Sequence, residues 1–215
     1  DCKTPISLHM IFKGPPGTGK TTIARKLGQI YKNLGYLKKG HVVEVDRSSL
    51  VAEFVGQTAI KTKKHLDKAL DGILFIDEAY TLSSGGEKDF GQESIDTMLK
   101  YMEDYRNRII IIVAGYNKKM NNFIKTNPGL KSRFNKTVKF EPYNSYELYE
   151  IFKLLCYQNN MMLNNNLRPK FIKFFKKLIY KSNKNQFGNG REVRNFFESM
   201  LLEQSSNIDI DKIDE

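Results

Sequence analysis

The run GPPGTGKT at residues 14–21 restricts this chain more than any other stretch. It obeys G-x-x-x-x-G-K-[ST], and it lies where one periodicity gives way to another. Before it, LHMIFK (8–13) is a short apolar strand. After Lys20, Ile23, Leu27, Ile30, Tyr31 and Leu34 recur at helical spacing. A strand, a glycine-rich loop and a helix in that order form the context a phosphate-binding loop requires. The glycines let backbone N–H groups turn inward around phosphate oxygens. The helix N-terminus adds its partial positive charge. Lys20 is expected to reach the β- and γ-phosphates, and the Thr21 hydroxyl to bind magnesium. The expected nucleotide-binding set is Gly14, Pro15, Pro16, Gly17, Thr18, Gly19, Lys20, Thr21 and Thr22, with ATP and Mg²⁺ as the cofactors.

A second stretch, GILFIDEAY (72–80), ends an apolar strand on two adjacent carboxylates, Asp77 and Glu78. Bare carboxylates there would repel each other and lose hydration. A cation opposite them removes the difficulty, and nucleotide-bound Mg²⁺ supplies one. Asp77 is expected to hold the metal through water. Glu78, one residue on, points elsewhere and is placed to activate a water against the γ-phosphate. The pair therefore argues for hydrolysis and not for binding alone.

Helices alternate with apolar strands up to Phe140. HVVEV (41–45) is the second strand, followed by a lysine-rich helix over about 58–70. Next come the ILFID strand, a helix with Ile95, Met98, Leu99 and Met102 on one face, the IIIIV strand from Ile109, and KTVKF (136–140). This pattern predicts an α/β fold with a five-stranded parallel sheet covered on both faces. Then the strands stop. Asn144 three residues before Glu147 signals a helix start. Three stripes follow: Leu148, Ile151, Phe152, Leu155; Phe171, Phe175, Leu178, Ile179; and Val193, Phe196, Phe197, Met200. They predict a small all-helical domain. The expected division is 1–142, 143–204 and a flexible tail over 205–215.

Composition narrows the partners. The formal charge, 35 − 24 = +11, raises nucleic-acid binding. Lysine comes together with asparagine throughout, as in NNMMLNNNLRPK (159–170), so the excess reads as compositional bias and nucleic acid is disfavoured. Two cysteines, Cys2 and Cys156, make no disulfide framework, which points to a reducing compartment. His9, His41 and His65 are scattered and make no zinc site. No apolar run approaches the roughly 20 residues of a membrane helix, so a soluble protein is expected. The first residue is Asp1 rather than Met, which reads as a piece of a longer protein with no targeting segment in it.

The phosphate loop, the Asp-Glu strand end and a helical lid together resemble an AAA+ ATPase of the P-loop NTPase class. LGYLKKGHVVEVDRSSLVAEFVGQTAIKTK, GILFIDEAYTL, DFGQESIDTMLKYMED, IIVAGYNKKM and NPGLKSRF narrow the resemblance to the CbbX/CfxQ family, the red-type Rubisco activases, over about residues 6–202. The resemblance implies an ATPase working as a homo-hexamer or related hetero-hexamer that pulls a client protein through pore loops. In SRF it implies Arg133 as a finger reaching a neighbour's nucleotide. In GNGREVR it implies Arg191 as the second sensor, with Arg194 the alternative, and Asn117 as the first sensor. EFVGQ resembles the pore loop, which places Phe54, Val55 and Gly56 on the channel. The family adds a plastid or other organelle to the cytoplasm as a location. Two other functions stand beside it: a nucleic-acid motor or loader of the same superfamily, and a nucleotide-gated scaffold.

Overall fold

Runs of β-branched and aromatic residues form five strands: β1 (Met10–Lys13), β2 (Val42–Val45), β3 (Gly72–Ile76), β4 (Ile109–Gly115) and β5 (Lys136–Lys139). The computed structural model describes residues 7–54, 56–84, 90–182 and 187–206. All pairings are parallel, in the order β2-β3-β4-β1-β5, with Phe75 opposite Ile112, Ile112 opposite Met10, and Met10 opposite Lys136. Strands β3 and β4 are buried at every position. Their alternate residues enter different cores. Leu74, Ile76, Ile111 and Val113 face one side, and Ile73, Phe75, Ile110 and Ile112 the other.

On the first face lie helices α3 (Gln57–Lys68), α4 (Gly91–Asp104), α5 (Asn117–Thr126) and α6 (Pro128–Arg133), through Leu66, Ile95, Met98, Met102, Met120, Phe123 and Leu130. Helix α1 (Lys20–Asn33) covers the second face, and a short α2 (Arg47–Leu50) follows β2. Contacts divide the chain into two units. The sheet unit holds the residues up to Gly14 and Gly19–Phe140, and the helical unit holds Pro15–Thr18 with the chain from Glu141 onward. The helical unit is α7 (Ser145–Gln158), a 3-10 turn at Asn165–Leu167, α8 (Arg168–Lys181) and α9 (Gly190–Ser206). Asn144 and Glu147 form a reciprocal cap at the start of α7. The three expected stripes merge into one core, joined by Tyr149, Cys156 and Phe187.

Several expectations need correction. Strand β1 starts at Met10 rather than Leu8. The sheet is not covered throughout: all four residues of β5 are exposed, as an edge strand allows. Helix α1 buries Ala24 and Gly28, while Ile23, Ile30 and Leu34 are exposed. The reason is close approach. A Cβ on Gly28 would lie 2.2 Å from the Gly40 carbonyl oxygen, so the helix packs through its smallest residues. Two asparagines of 159–166 work as caps: Asn159 Nδ2 donates to Leu155 O, and Asn164 Oδ1 accepts from the Asn166 N–H. The expected flexible tail lies outside the described residues from 207 onward.

Candidate nucleotide site

Parallel strands all end at one edge of their sheet, and there β1, β3 and β4 release Gly14, Asp77 and Tyr116. Gly14 N–H donates to Gly115 O at 3.1 Å, tying the loop to β4. A Cβ on Gly14 would stand 2.4 Å from Phe140 O, so only glycine fits. The loop then turns through Gly17 (φ 69°) and Gly19 (φ 85°), a region that L side chains rarely adopt. Gly19 caps α1 without a side-chain bond. Lys20 Nζ donates to Gly14 O at 3.1 Å, and Thr18 Oγ1 to Pro15 O at 2.9 Å. Thr21 is half-buried and Thr22 exposed.

Residues 15–18 of this loop are held by the helical unit. A Cβ on Gly17 would lie 1.9 Å from Gly188 O and 3.0 Å from Arg191 N. Asn189 is 1% exposed with φ 50°, a conformation asparagine tolerates better than most residues. Its Nδ2 donates to Pro16 O and Phe187 O, and its Oδ1 accepts from the Tyr143 N–H. Arg191 and Arg194 are exposed in the first turns of α9.

Asp77 is half-buried, and its Oδ1 accepts from the Glu78 N–H at 3.0 Å. Glu78 is exposed and has φ 48°. Its backbone oxygen accepts from both the N–H and the Oγ1 of Thr81. Burial, then the nearby Glu78 charge, pushes the Tyr80 phenol well above its ordinary pKa. The Tyr80 ring has no room to drift. A Cβ on Gly115 would strike it at 2.8 Å, and Lys119 Nζ sits 4.6 Å from its centroid. Asn117 is the exposed first residue of α5, one residue beyond Tyr116. Among the described residues no three His, Cys, Asp or Glu side chains cluster as a metal cage. A magnesium ion carried mainly by phosphates and waters, with Thr21 and Asp77 beside it, fits that donor set.

Arg133 ends α6, and its Nη2 lies 3.2 Å from Glu103 Oε2, an ion pair within the chain. Its Nε is buried without a partner among the described residues. Phe54 lies in the connection between α2 and α3 and is 66% exposed, so it is not a core residue. Gly56 caps α3 with φ 76°, and Val55 lies outside the described residues. Gly14, Asp77 and Asn117 thus share an edge, whereas no described contact joins Arg133 or Phe54 to the loop. Sequence reasoning missed Tyr80, Tyr143, Asn189 and Glu103. Only Asn189 left a signal, an asparagine between two glycines at 188–190.

The profile of the ATPase family associated with various cellular activities (AAA) matches residues 10–142, and an AAA lid domain matches 144–215. Stage V sporulation protein K of Bacillus subtilis is 44% identical over 93% of this chain and 62% of its own length. Protein CfxQ of Xanthobacter flavus is 42% identical over 93% of this chain and 62% of its own. The chloroplastic ribulose bisphosphate carboxylase/oxygenase activase of Cyanidioschyzon merolae is 42% identical, covering 94% and 68%. The chain therefore spans about three fifths to two thirds of these relatives. Among solved structures, the FIGL-1 AAA domain in complex with ADP superposes with a TM-score of 0.64 at 16% identity, over 94% of this chain and 63% of that one. At that identity the likeness concerns the fold. No helix among the described residues is long and apolar enough to cross a membrane.

Proposed function

Since the chain belongs to the AAA family of ATPases, in the CbbX/CfxQ group, we propose that it binds ATP with Mg²⁺, hydrolyses it, and uses the turnover to remodel a client protein. The observation that carries this reading is the shared edge, where the phosphate loop, Asp77-Glu78 and the β4–α5 junction leave the same ends of parallel strands. Ligands of open α/β sheets bind at that edge.

Each residue has one task in this reading. The 14–21 loop holds the phosphates by backbone N–H groups, and Lys20 adds a charge to the β- and γ-phosphates. Thr21 and Asp77 hold the magnesium, which when bound neutralises charge on the phosphates. Glu78 takes a proton from the attacking water, and Asn117 orients that water. Arg191 neutralises phosphate charge from α9, with Arg194 as the alternative. Arg133 leaves Glu103 to reach the nucleotide of a neighbouring subunit in a hexameric ring. Phe54, with Val55 and Gly56, grips the client in the channel. The exposure of Phe54 supports the last assignment. The relatives differ in what their names say they serve, sporulation in one and the carboxylase in another, so the client is left open.

Glu78→Gln tests the core of the proposal. ATP should stay bound while turnover falls about 10²–10⁴-fold, the usual worth of a general base. Undiminished turnover would remove Glu78 from the mechanism. Loss of ATP binding would mean that Glu78, not Asp77 alone, holds the metal. The stalled complex is also the bait for identifying the client by pull-down.

A further inference from the structure

Three consecutive carbonyls of the phosphate loop are taken up by the helical unit. Pro16 O accepts from Asn189 Nδ2 at 3.1 Å, Gly17 O from the Gly190 N–H at 3.0 Å, and Thr18 O from Tyr143 Oη at 3.1 Å. Each carbonyl shares a planar trans peptide with the N–H of the next residue, and the two point in opposite directions. The chain has no cis peptide among the described residues. Holding the carbonyls of 16, 17 and 18 therefore fixes the direction of the N–H groups of Gly17, Thr18 and Gly19, each opposite its own carbonyl. None of those three N–H groups donates to a protein acceptor among the described residues. Three successive N–H groups, fixed in direction and without a protein acceptor among the described residues, are the material of an anion cradle.

We propose that Tyr143 and Asn189 are positioning residues for phosphate binding, which hold the loop's peptide planes so that its N–H groups are aimed before nucleotide arrives. This rests on the reading of residues 14–21 as the nucleotide site and deepens it. The two side chains suit the task. Burial raises the Tyr143 pKa, with Glu147 adding to it, so its hydroxyl keeps the proton it donates. Asn189 is itself fixed by Phe187 O and the Tyr143 N–H, leaving no free rotamer. Without these anchors the loop would lose conformational freedom on binding, at a cost in affinity.

Tyr143→Phe removes one hydroxyl and keeps the ring. Asn189→Gly removes the bonds to Pro16 O, Phe187 O and the Tyr143 N–H and relaxes the positive φ. By calorimetry of the whole chain, each should weaken ATP and ADP about threefold to tenfold, the worth of a neutral hydrogen bond. The melting temperature of nucleotide-free Tyr143→Phe should not move, which separates aiming from stability. Wild-type affinity in both variants, while Lys20→Ala loses ATP, overturns the inference and leaves the nucleotide site standing. Normal ATP binding by Lys20→Ala overturns the site and the inference together. An affinity loss that follows a fall in melting temperature and vanishes on cooling also overturns it, since the role would then be structural.

Discussion

In the sheet unit the buried side chains are mostly aliphatic, and in the helical unit they are largely aromatic. Phe152 of α7 lies within 4.8–6.2 Å, centroid to centroid, of Phe171, Phe175, Phe196 and Phe197. The strands of the sheet run their apolar residues through the core and end in polar residues on one edge, so packing and chemistry occupy different side chains. The helical unit has no such separation. Its polar turn, Gly188 to Gly190, follows the buried Phe187, and Asn189 is as buried as the core beside it. Changes at the site of the sheet unit should therefore alter rate without stability. Changes in the aromatic core of the helical unit should alter both.

Arg133→Ala should show the largest effect, and on rate alone. A finger acting in trans is worth about 10³–10⁵ in turnover. The ion pair with Glu103 is partly exposed on both sides and should cost no more than about 1 kcal/mol when lost. Mixing this variant with Lys20→Ala subunits should restore activity where the intact Arg133 of one meets the intact loop of the other. If mixed rings form and stay inactive, the finger does not act across subunits. A large fall in melting temperature would show that packing and chemistry are not separate here.

Phe152→Ala carries the comparison into the helical unit. Deleting a fully buried phenylalanine costs about 3–5 kcal/mol. Denaturant unfolding should show that loss, and ATP affinity should fall with it, because the aromatic core supports the turn that holds residues 15–18. Intact affinity at a temperature where the variant is still folded would break the contrast.

His9 is the exception inside the sheet unit, a buried polar residue whose Nδ1 accepts from the Ile111 N–H. Burial, then the charges of Arg133 and Arg106, depress its pKa from 6.5 to about 4. The neutral form is thus favoured in the folded chain. Its contribution to stability is complete above pH 6.5 and is lost as pH falls from there towards about 4. The loss approaches about 3 kcal/mol at the acid end, at 1.36 kcal/mol per unit. Denaturant midpoints between pH 7 and 4.5 should fall more steeply for the native chain than for His9→Gln. Parallel slopes would show that another group drives the acid loss.

The sheet was readable because strands buried on both faces must be apolar throughout, as Ile109 to Val113 are. The loop was readable because glycine spacing reflects backbone angles, a local property. Helix α1 misled in part because its fully buried residues are Ala24 and Gly28, while Leu27 and Tyr31 are only partly buried and Ile23, Ile30 and Leu34 are exposed. The pairings of Tyr143 and Asn189 could not be read, since their partners lie 125 and 173 residues away along the chain, and the GNG run at 188–190 signals only a local turn. For Arg133, Asn117 and Arg191 the roles rest on family resemblance, because an exposed or half-buried polar residue at a helix end looks alike whether it meets solvent or a neighbour's nucleotide.

Phe54 should give the smallest effect on the folded chain and the sharpest contrast with Phe152. The two are the same residue, one 66% exposed and the other fully buried. Substitution of an exposed loop side chain usually changes stability by no more than about 0.5 kcal/mol. The anchors of this loop do not use the ring: Gln57 N–H donates to Phe54 O, and Ala52 N–H to Thr58 Oγ1. Phe54→Ala should therefore melt like the native chain and hydrolyse ATP at the native basal rate. What it should lose is coupling to the client, because an alanine offers almost no apolar surface to grip a segment that moves with each turnover. Thermal melting and basal turnover can be measured before any client is known. A loss of several degrees, with turnover falling in parallel, would mean that Phe54 packs against something and does not grip. Native melting with native client coupling would leave its exposure without a function and move the channel to another loop.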